Sequence, residues 1–259
     1  MLSIAIPSSS LINENDPKIK TYKVGSIARA AAVFRVDEVI IYHDPQKDES
    51  DFMAGILEYL SAPQYLRKKI FPLRSGLQYV GVLPPLQIPS HRPKHLKVGE
   101  VREGVVRKVG PDGRSWVDVG ADALALLEKE VEKGARLTVR VCSKKPLVVE
   151  EEVPQEYWGY KVLEIELKKL LNREGAVITS KNCPNPGISE ISEMLNSDLT
   201  LVFGNPEEGV FEISERLNIK IKNKCWNLVP QQGTETVRLE EAIFSGLSVL
   251  NFVHKHKSR

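Results

Sequence analysis

Between residues 83 and 97 the pattern of the chain changes, and that change limits its fold more than any other feature. Before it, β-rich runs alternate with helical spacing. Residues 2–6 read as a strand, and residues 17–35 as a helix in which Val24, Ile27, Ala28, Ala31 and Phe34 recur on one side behind Pro17. Residues 38–42 form a second strand ended by His43-Asp44-Pro45, helices fit 51–60 and 63–69, and 80–83 is again strand-like. Pro84, Pro85, Pro89 and Pro93 then punctuate a linker. From 97 to 152 short alternating runs are separated by glycine turns such as Gly110-Pro111-Asp112-Gly113, the pattern of a small β-barrel. From about Tyr157 the α/β rhythm returns, with strands at 160–163, 176–179, 198–203 and within 220–228, and helices at 188–195, 210–217 and 236–253.

Neither α/β half has enough strands to cover its own sheet. The expected architecture is therefore one discontinuous α/β domain, 1–90 plus 156–259, with a mainly parallel sheet flanked by helices. The inserted barrel spans 91–155; its Val98-Gly99-Glu100, Gly104-Val105-Val106 and Trp116-Val117-Asp118-Val119-Gly120 resemble the opening strands of OB-type barrels that bind RNA, a resemblance that implies an RNA-binding domain. Two consecutive α/β domains joined by a barrel are the alternative.

Composition narrows the class. A hydrophobic share of 42% with 27% charged residues is that of a globular protein. No apolar run approaches the roughly 20 residues that cross a bilayer. The N-terminus lacks a basic region before its short apolar stretch, so no signal peptide is expected and the cytoplasm is the expected compartment. Cys142, Cys183 and Cys225 are scattered and odd in number, which suggests reduced packing thiols. The five histidines show no H-x-x-H or H-E-x-x-H spacing, so no metal is expected. Abundant Lys and Glu with few Met and Cys suit a thermophile.

Net charge is only +2, yet the cations are grouped. Arg92, Lys94, Lys97, Arg102, Arg107 and Lys108 form one set, Arg67, Lys68, Lys69 and Arg74 another, and residues 254–259 a third. Such groups either neutralise RNA phosphates or are plain solvated surface. Trp116 either stacks on a base or, as is commoner for a barrel tryptophan, fills the core.

The chemistry concentrates near the C-terminus. Leu201-Val202-Phe203 empties into Gly204-Asn205-Pro206-Glu207-Glu208-Gly209, followed by a second loop at 226–234. A phosphate loop wants backbone N–H groups and a lysine, whereas Glu207 and Glu208 would repel phosphate and tolerate hydroxyls, amines or a sulfonium. A dinucleotide fold is disfavoured because Pro7-Ser8-Ser9-Ser10, not G-x-G-x-x-G, follows the first strand.

This order of elements resembles the SPOUT methyltransferases, and within them the archaeal and eukaryotic branch of RNA uridine-N3 methyltransferases. The resemblance rests on Ser3-Ile4-Ala5-Ile6-Pro7, Ile27-Ala28-Arg29-Ala30, Val36-Asp37-Glu38-Val39, Pro63-Gln64-Tyr65-Leu66-Arg67-Lys68, Phe71-Pro72, Gly233-Thr234 and Thr236-Val237-Arg238-Leu239-Glu240-Glu241-Ala242-Ile243. It implies a trefoil-knotted sheet that binds S-adenosylmethionine mainly through the backbone of three loops. By position these are Thr179-Ser180; Phe203 and Gly204 with Glu207, Glu208 and Gly209; and Asn227, Leu228, Val229 and Pro230 with Gln232, Gly233 and Thr234.

The implied reaction is methylation of uridine N3 in large-subunit ribosomal RNA. The departing imino proton needs an acceptor, and charge growing on the ring oxygens needs a cation. Arg29 is the first candidate cation, although it also suits an arginine snorkelling from a packed helix. Arg238 is the second, and Glu235 the candidate base. The resemblance further implies a homodimer that completes the pocket, with Val237, Ala242, Ile243, Leu247 and Leu250 of the closing helix serving that interface or the chain's own core. An RNA-binding or ribosome-assembly factor that keeps this fold without catalysis is the other function open to the sequence.

Overall fold

The computed structural model describes residues 1–71, 75–93 and 95–256; Arg74, the expected RNA contact Lys94 and residues 257–259 lie outside the described residues. From the N-terminus, β1 (Leu2–Pro7), α1 (Pro17–Val33), β2 (Glu38–His43), α2 (Ser50–Ser61) and α3 (Gln64–Ile70) lead to two short 3-10 turns. Five strands follow: β3 (Val101–Val109), β4 (Ser115–Asp118), β5 (Ala125–Leu127), β6 (Arg136–Lys144) and β7 (Leu147–Glu151). Next come β8 (Lys161–Glu166), α4 (Leu167–Leu171), β9 (Ala176–Thr179) and α5 (Ile188–Met194). The chain closes with β10 (Leu199–Val202), α6 (Val210–Arg216), β11 (Cys225–Trp226) and α7 (Leu239–His256). Two compact units result: residues 1–58, 76–86 and 160–259, and residues 59–75 with 87–159.

In the first unit, strands that are apolar along their whole length need cover on both faces, which a parallel sheet between helices supplies. The six strands lie in the order β11-β9-β10-β1-β2-β8, every pair parallel. Register aligns Ile178, Val202, Ala5, Ile40 and Leu163 across the sheet. This row packs against Leu167 and Leu170 of α4 and Val210 and Ile213 of α6. On α7, Gly246 lies so close to Leu201 and Leu228 that an added Cβ would sit 3.6 and 3.1 Å from them. Helix α1 starts where the Asp16 side chain accepts from the Lys18 amide, with Pro17 in the first turn, and packs on α7 through an edge-to-face Phe34–Phe244 contact at 5.1 Å. Ile243, Leu247 and Leu250 are buried within the chain, while Phe244 and Phe252 of the same helix are exposed.

The expected strand at 80–83 is instead a 3-10 turn, Val80–Val82. Val82 is 73% exposed, so the run has no second face to bury. The expectation of reduced thiols also fails: Cys183 and Cys225 are disulfide-bonded, and only Cys142 is free. The cause is tertiary. Pairing β11 with β9 sets Cys225 opposite Ile178, and the chain bends back just after β9 to bring Cys183 beside it.

In the second unit the closed barrel runs β3-β4-β5-β7-β6, antiparallel except for β5 with β7, which is the strand order of an OB barrel. Val106, Val117, Val139, Val141 and Val149 fill it. Because Val117 points inward, its neighbour Trp116 points outward and is 37% exposed, not buried in the core. Arg102 corrects the expectation in the other direction. It is wholly buried, stacked 4.4 Å from the Tyr65 ring and paired with Glu100 at 3.4 Å, so it cannot meet phosphate. Gly120, at φ +83°, lies where a Cβ would fall 2.4 Å from the Tyr65 ring, so only glycine permits α3 to seat there.

Two predictions follow from this packing. Alkylation without reductant should label Cys142 alone, and reductant should expose all three thiols while lowering the thermal midpoint. Chain entropy for a bridge of 42-residue separation is about 4 kcal/mol. In the second unit, burial holds the His91 imidazole down to about 4 while its Nε2 bonds the Ser61 carbonyl at 3.2 Å. The unfolded chain then binds the proton first, so stability is full above about pH 6.5 and falls toward pH 4, by on the order of 3 kcal/mol. His91→Phe should flatten that slope in pH-dependent melts.

Candidate active-site cleft

The order of the strands creates a crevice. From β1 the chain moves outward to β2 and β8, whereas from adjacent β10 it moves the other way, over β9 to β11. Loops leaving the C-terminal ends of neighbouring strands in opposite directions part from each other, and ligands of open α/β sheets bind there. A cleft of about 760 Å³ lies at this point.

Each wall comes from one loop. Thr179 ends β9 and Ser180 follows it; Phe203, Gly204, Glu207, Glu208 and Gly209 follow β10; Asn227, Leu228, Val229 and Gln232 follow β11. Pro230, Gly233 and Thr234 do not line the cleft. Ser10 and Asn13 after β1, Glu14, Lys23 and Lys181 line it too, as does the segment from Thr236 to Glu240 that enters α7. Asn13, Glu14, Lys23 and Lys181 were not singled out in the sequence.

The loop after β10 is built from its own side chains. Asn205 Oδ1 accepts from the amides of Glu207 at 2.8 Å and Glu208 at 2.6 Å, and its Nδ2 donates to Ser9 Oγ at 3.0 Å. A Cβ on Gly204 would lie 2.4 Å from the Glu208 carbonyl, so this turn closes only around glycine. Underneath, Arg216 of α6 binds Glu208 Oε2 at 2.5 Å and Asp44 Oδ1 at 3.0 Å. Ser9 Oγ donates to Asp44 Oδ2 at 2.5 Å. Burial would push the wholly buried Asp44 carboxyl up, but the hydrogen bonds from Arg216 and Ser9 outweigh it and hold it below its ordinary range. Burial, followed by the charge of Asp44, drives the Tyr42 hydroxyl well up, leaving it a neutral donor to the Phe203 carbonyl at 2.7 Å.

Of the two loop carboxylates, Glu208 is thus committed to Arg216. Glu207 is exposed at the cleft and makes no ion pair among the described residues. The β9 and β11 loops are tied by Asn227, whose Nδ2 donates to the Lys181 carbonyl at 3.1 Å while its amide donates to Pro184. Sequence reasoning missed Asp44, Arg216 and Asn205. Only the Asn205-Pro206-Glu207 pattern of an Asx turn carried a readable signal.

The three expected catalytic residues separate. Arg238 lines the cleft at the start of α7, where Glu241 caps its amide at 3.0 Å. Glu235 contributes its backbone carbonyl to Lys181 and Gln232, and its side chain does not line the cleft. Arg29 donates to the Leu86 carbonyl at 2.6 Å and also lies outside the cleft lining.

In the second unit the expected RNA contacts divide too. Arg67 is turned to its own backbone, the Leu60 and Ala62 carbonyls, and stacks on Tyr59. Arg92 is paired with Glu156 at 2.8 Å. Lys68, Arg107, Lys108 and Trp116 are exposed.

Because Asp44 has a depressed folded pKa, its contribution is present above the unfolded value of about 4 and is lost as pH falls through the lower folded value. Asp44→Asn should therefore lower stability at neutral pH and weaken the acid-side decline. Amide exchange at Glu207 and Glu208 should quicken in the same variant.

Residues 1–250 match the family described as "Putative RNA methyltransferase". An uncharacterized protein of Haloarcula marismortui is 35% identical over 96% of this chain and 98% of its own length. The human 28S rRNA (uridine-N(3))-methyltransferase is 32% identical over 96% of this chain and 77% of its own. Its Drosophila melanogaster counterpart is 32% identical over 96% of this chain and 61% of its own. With a match that runs through both units and across every loop of the cleft, the chain belongs to this RNA methyltransferase family.

Proposed function

We propose that this protein methylates N3 of a uridine in large-subunit ribosomal RNA, with S-adenosylmethionine as donor. The observation that carries the reading is the cleft at the strand switch point, walled by the loops after β9, β10 and β11, with an exposed carboxylate where a phosphate loop would need a lysine. Its volume of about 760 Å³ suits a nucleoside-sized ligand. Glu207 would take ribose hydroxyls or a cationic end, while Phe203, Leu228 and Val229 supply apolar wall for a purine. The cofactor supplies a methyl group activated on a sulfonium. The chain's own part is to hold the cleft's shape through the Arg216–Asp44–Glu208 node and to present a cation to the uracil oxygens. Arg238 is our choice for that cation, since it faces the cleft of its own chain.

We further propose a knotted SPOUT-type threading of the last strands, a homodimer and a cytoplasmic setting. Exposed Phe244 and Phe252 on α7, with Val33 on α1, favour a self-association surface, across which Arg29 could serve a second pocket. A disulfide is compatible with the cytoplasm of a thermophile. No helix among the described residues is long and apolar enough to cross a membrane. We assign the discontinuous segment 1–90 with 156–259 to catalysis and the barrel, 91–155, to RNA affinity.

Calorimetry with S-adenosylmethionine tests the cleft. One site per chain is expected, weakened at least about tenfold in Glu207→Lys, a substitution that leaves the glycine-dependent turn intact. Arg238→Ala should keep cofactor binding and slow formation of 3-methyluridine in a ribosomal RNA transcript by about a hundredfold, read by mass spectrometry. RNA binding without any cofactor binding, even with RNA present, would replace this reading with that of a non-catalytic assembly factor.

A further inference from the structure

The barrel carries a feature that its core does not require. Strand β3 pairs Val106 with Val117 and then Lys108 with Trp116, so Arg107 is an extra residue, a bulge. Alternation breaks there. Val105 and Val106 are both buried, and Arg107 and Lys108 both face solvent. A bulge that turns two consecutive cations outward leaves the hydrophobic core unchanged, and bulges commonly re-aim side chains at binding sites.

What surrounds the bulge is of one chemical kind. Arg107 lines a small pocket of about 310 Å³ with Lys69 and Lys133, floored by Ile70, Val105 and Val106. One acid answers these three cations: Asp118 binds Lys69 at 2.5 Å. Arg107 makes a single long bond to the Lys69 carbonyl, 3.3 Å, and Lys133 and Lys108 make no ion pair among the described residues. Next to the pocket Trp116 stands opposite Lys108 on one side and Leu126 on the other, and Leu126 stands opposite Val148. Cross-strand neighbours lie about 5 Å apart, so an exposed indole sits at the end of a short apolar ledge, one residue from the basic pocket. The β6–β7 side contrasts with this. There Arg140 is taken by Glu150 and Glu152. Beyond the end of β4 and β5, Arg114 is taken by Asp112 and Glu128 and Lys129 by Glu151, so among the described residues of the β3–β4–β5 face the unpaired cations are those at the bulge.

We propose that this β3–β4–β5 face binds single-stranded RNA, with Trp116 stacking a base and the Arg107–Lys69–Lys133 pocket receiving an adjoining phosphate; the proposal rests on the RNA-directed function proposed above. A duplex hides its base faces, so an aromatic ledge selects splayed nucleotides, while the pocket adds affinity that is independent of sequence. The second strand and its neighbour are also the face that OB barrels offer to oligonucleotides.

The test uses the full-length chain and a fluorescent uridine-rich 12-nucleotide single strand, with the matching duplex and inorganic polyphosphate as comparators. Trp116→Ala should weaken the single strand about tenfold, and Trp116→Phe should restore most of the affinity. Arg107→Ala with Lys133→Ala should remove that phosphate contact and reduce the slope of log affinity against log salt by about 0.7. All three sites are at the surface, and unaltered thermal midpoints would verify folding.

Preference for the duplex, indifference to Trp116, or polyphosphate binding as tightly as RNA would each overturn the proposal, the last revealing a generic polyanion pocket. A wild type that binds S-adenosylmethionine but no single strand overturns the platform and leaves the cleft reading standing. One that binds the strand through Trp116 but no cofactor does the reverse.

Discussion

The pairing of β1 with β10 is the contact on which the rest of the first unit depends. Ile4 lies beside Leu201 and Ala5 beside Val202, joining the two ends of the chain in one sheet. Without that pairing neither half could cover its strands, because the row from Ile178 to Leu163 draws on both. The same pairing is functional. Only because β1 and β10 are neighbours do their outgoing loops part, and the cleft is the space they leave. Fold and site therefore share one cause, and the terminal ammonium of Met1, held by Asp198 at 3.0 Å, reinforces it.

Beneath the cleft a second constraint sets which groups remain available. Arg216 is planar and forked, so it can hold Glu208 and Asp44 at once in a way that a lysine could not. By fixing Glu208 it turns a pair of adjacent acids into one structural carboxylate and one exposed one. Asn205 supplies the loop amides with an acceptor from within the loop. The backbone amides of this loop are satisfied from within it, so its shape does not depend on a ligand.

What could be read from the sequence followed from what is local. Long apolar runs, glycine turns and proline punctuation marked the sheet, the barrel and the loops that line the cleft, since each is decided within a dozen residues. Long-range pairing was not readable. Cys183 and Cys225 meet only because β11 lies beside β9. Arg102 was an expected RNA contact and is buried because Tyr65 packs over it, while Trp116, open between stacking and core, faces outward because its neighbour Val117 faces in. Val80–Val82 has the composition of a strand and no neighbour to pair with. Asp44 and Arg216 carry no local signal for their role, because they anchor the cleft only once α6 lies against the sheet.

Net charge was the least informative quantity of all. Arg136 faces Glu103, Arg173 faces Glu38, Arg140 faces Glu152, and Arg216 faces two carboxylates. A cation held this way has its field largely cancelled at the distance of a phosphate, and freeing it would leave an acid exposed to repel the same phosphate. What governs attraction for a polyanion is the set of cations that folding leaves unpaired and places side by side. Around the β3 bulge that set adjoins an exposed indole. A charge sum near neutrality and a strongly basic local face are therefore compatible, because ion pairing elsewhere removes the other cations from the comparison.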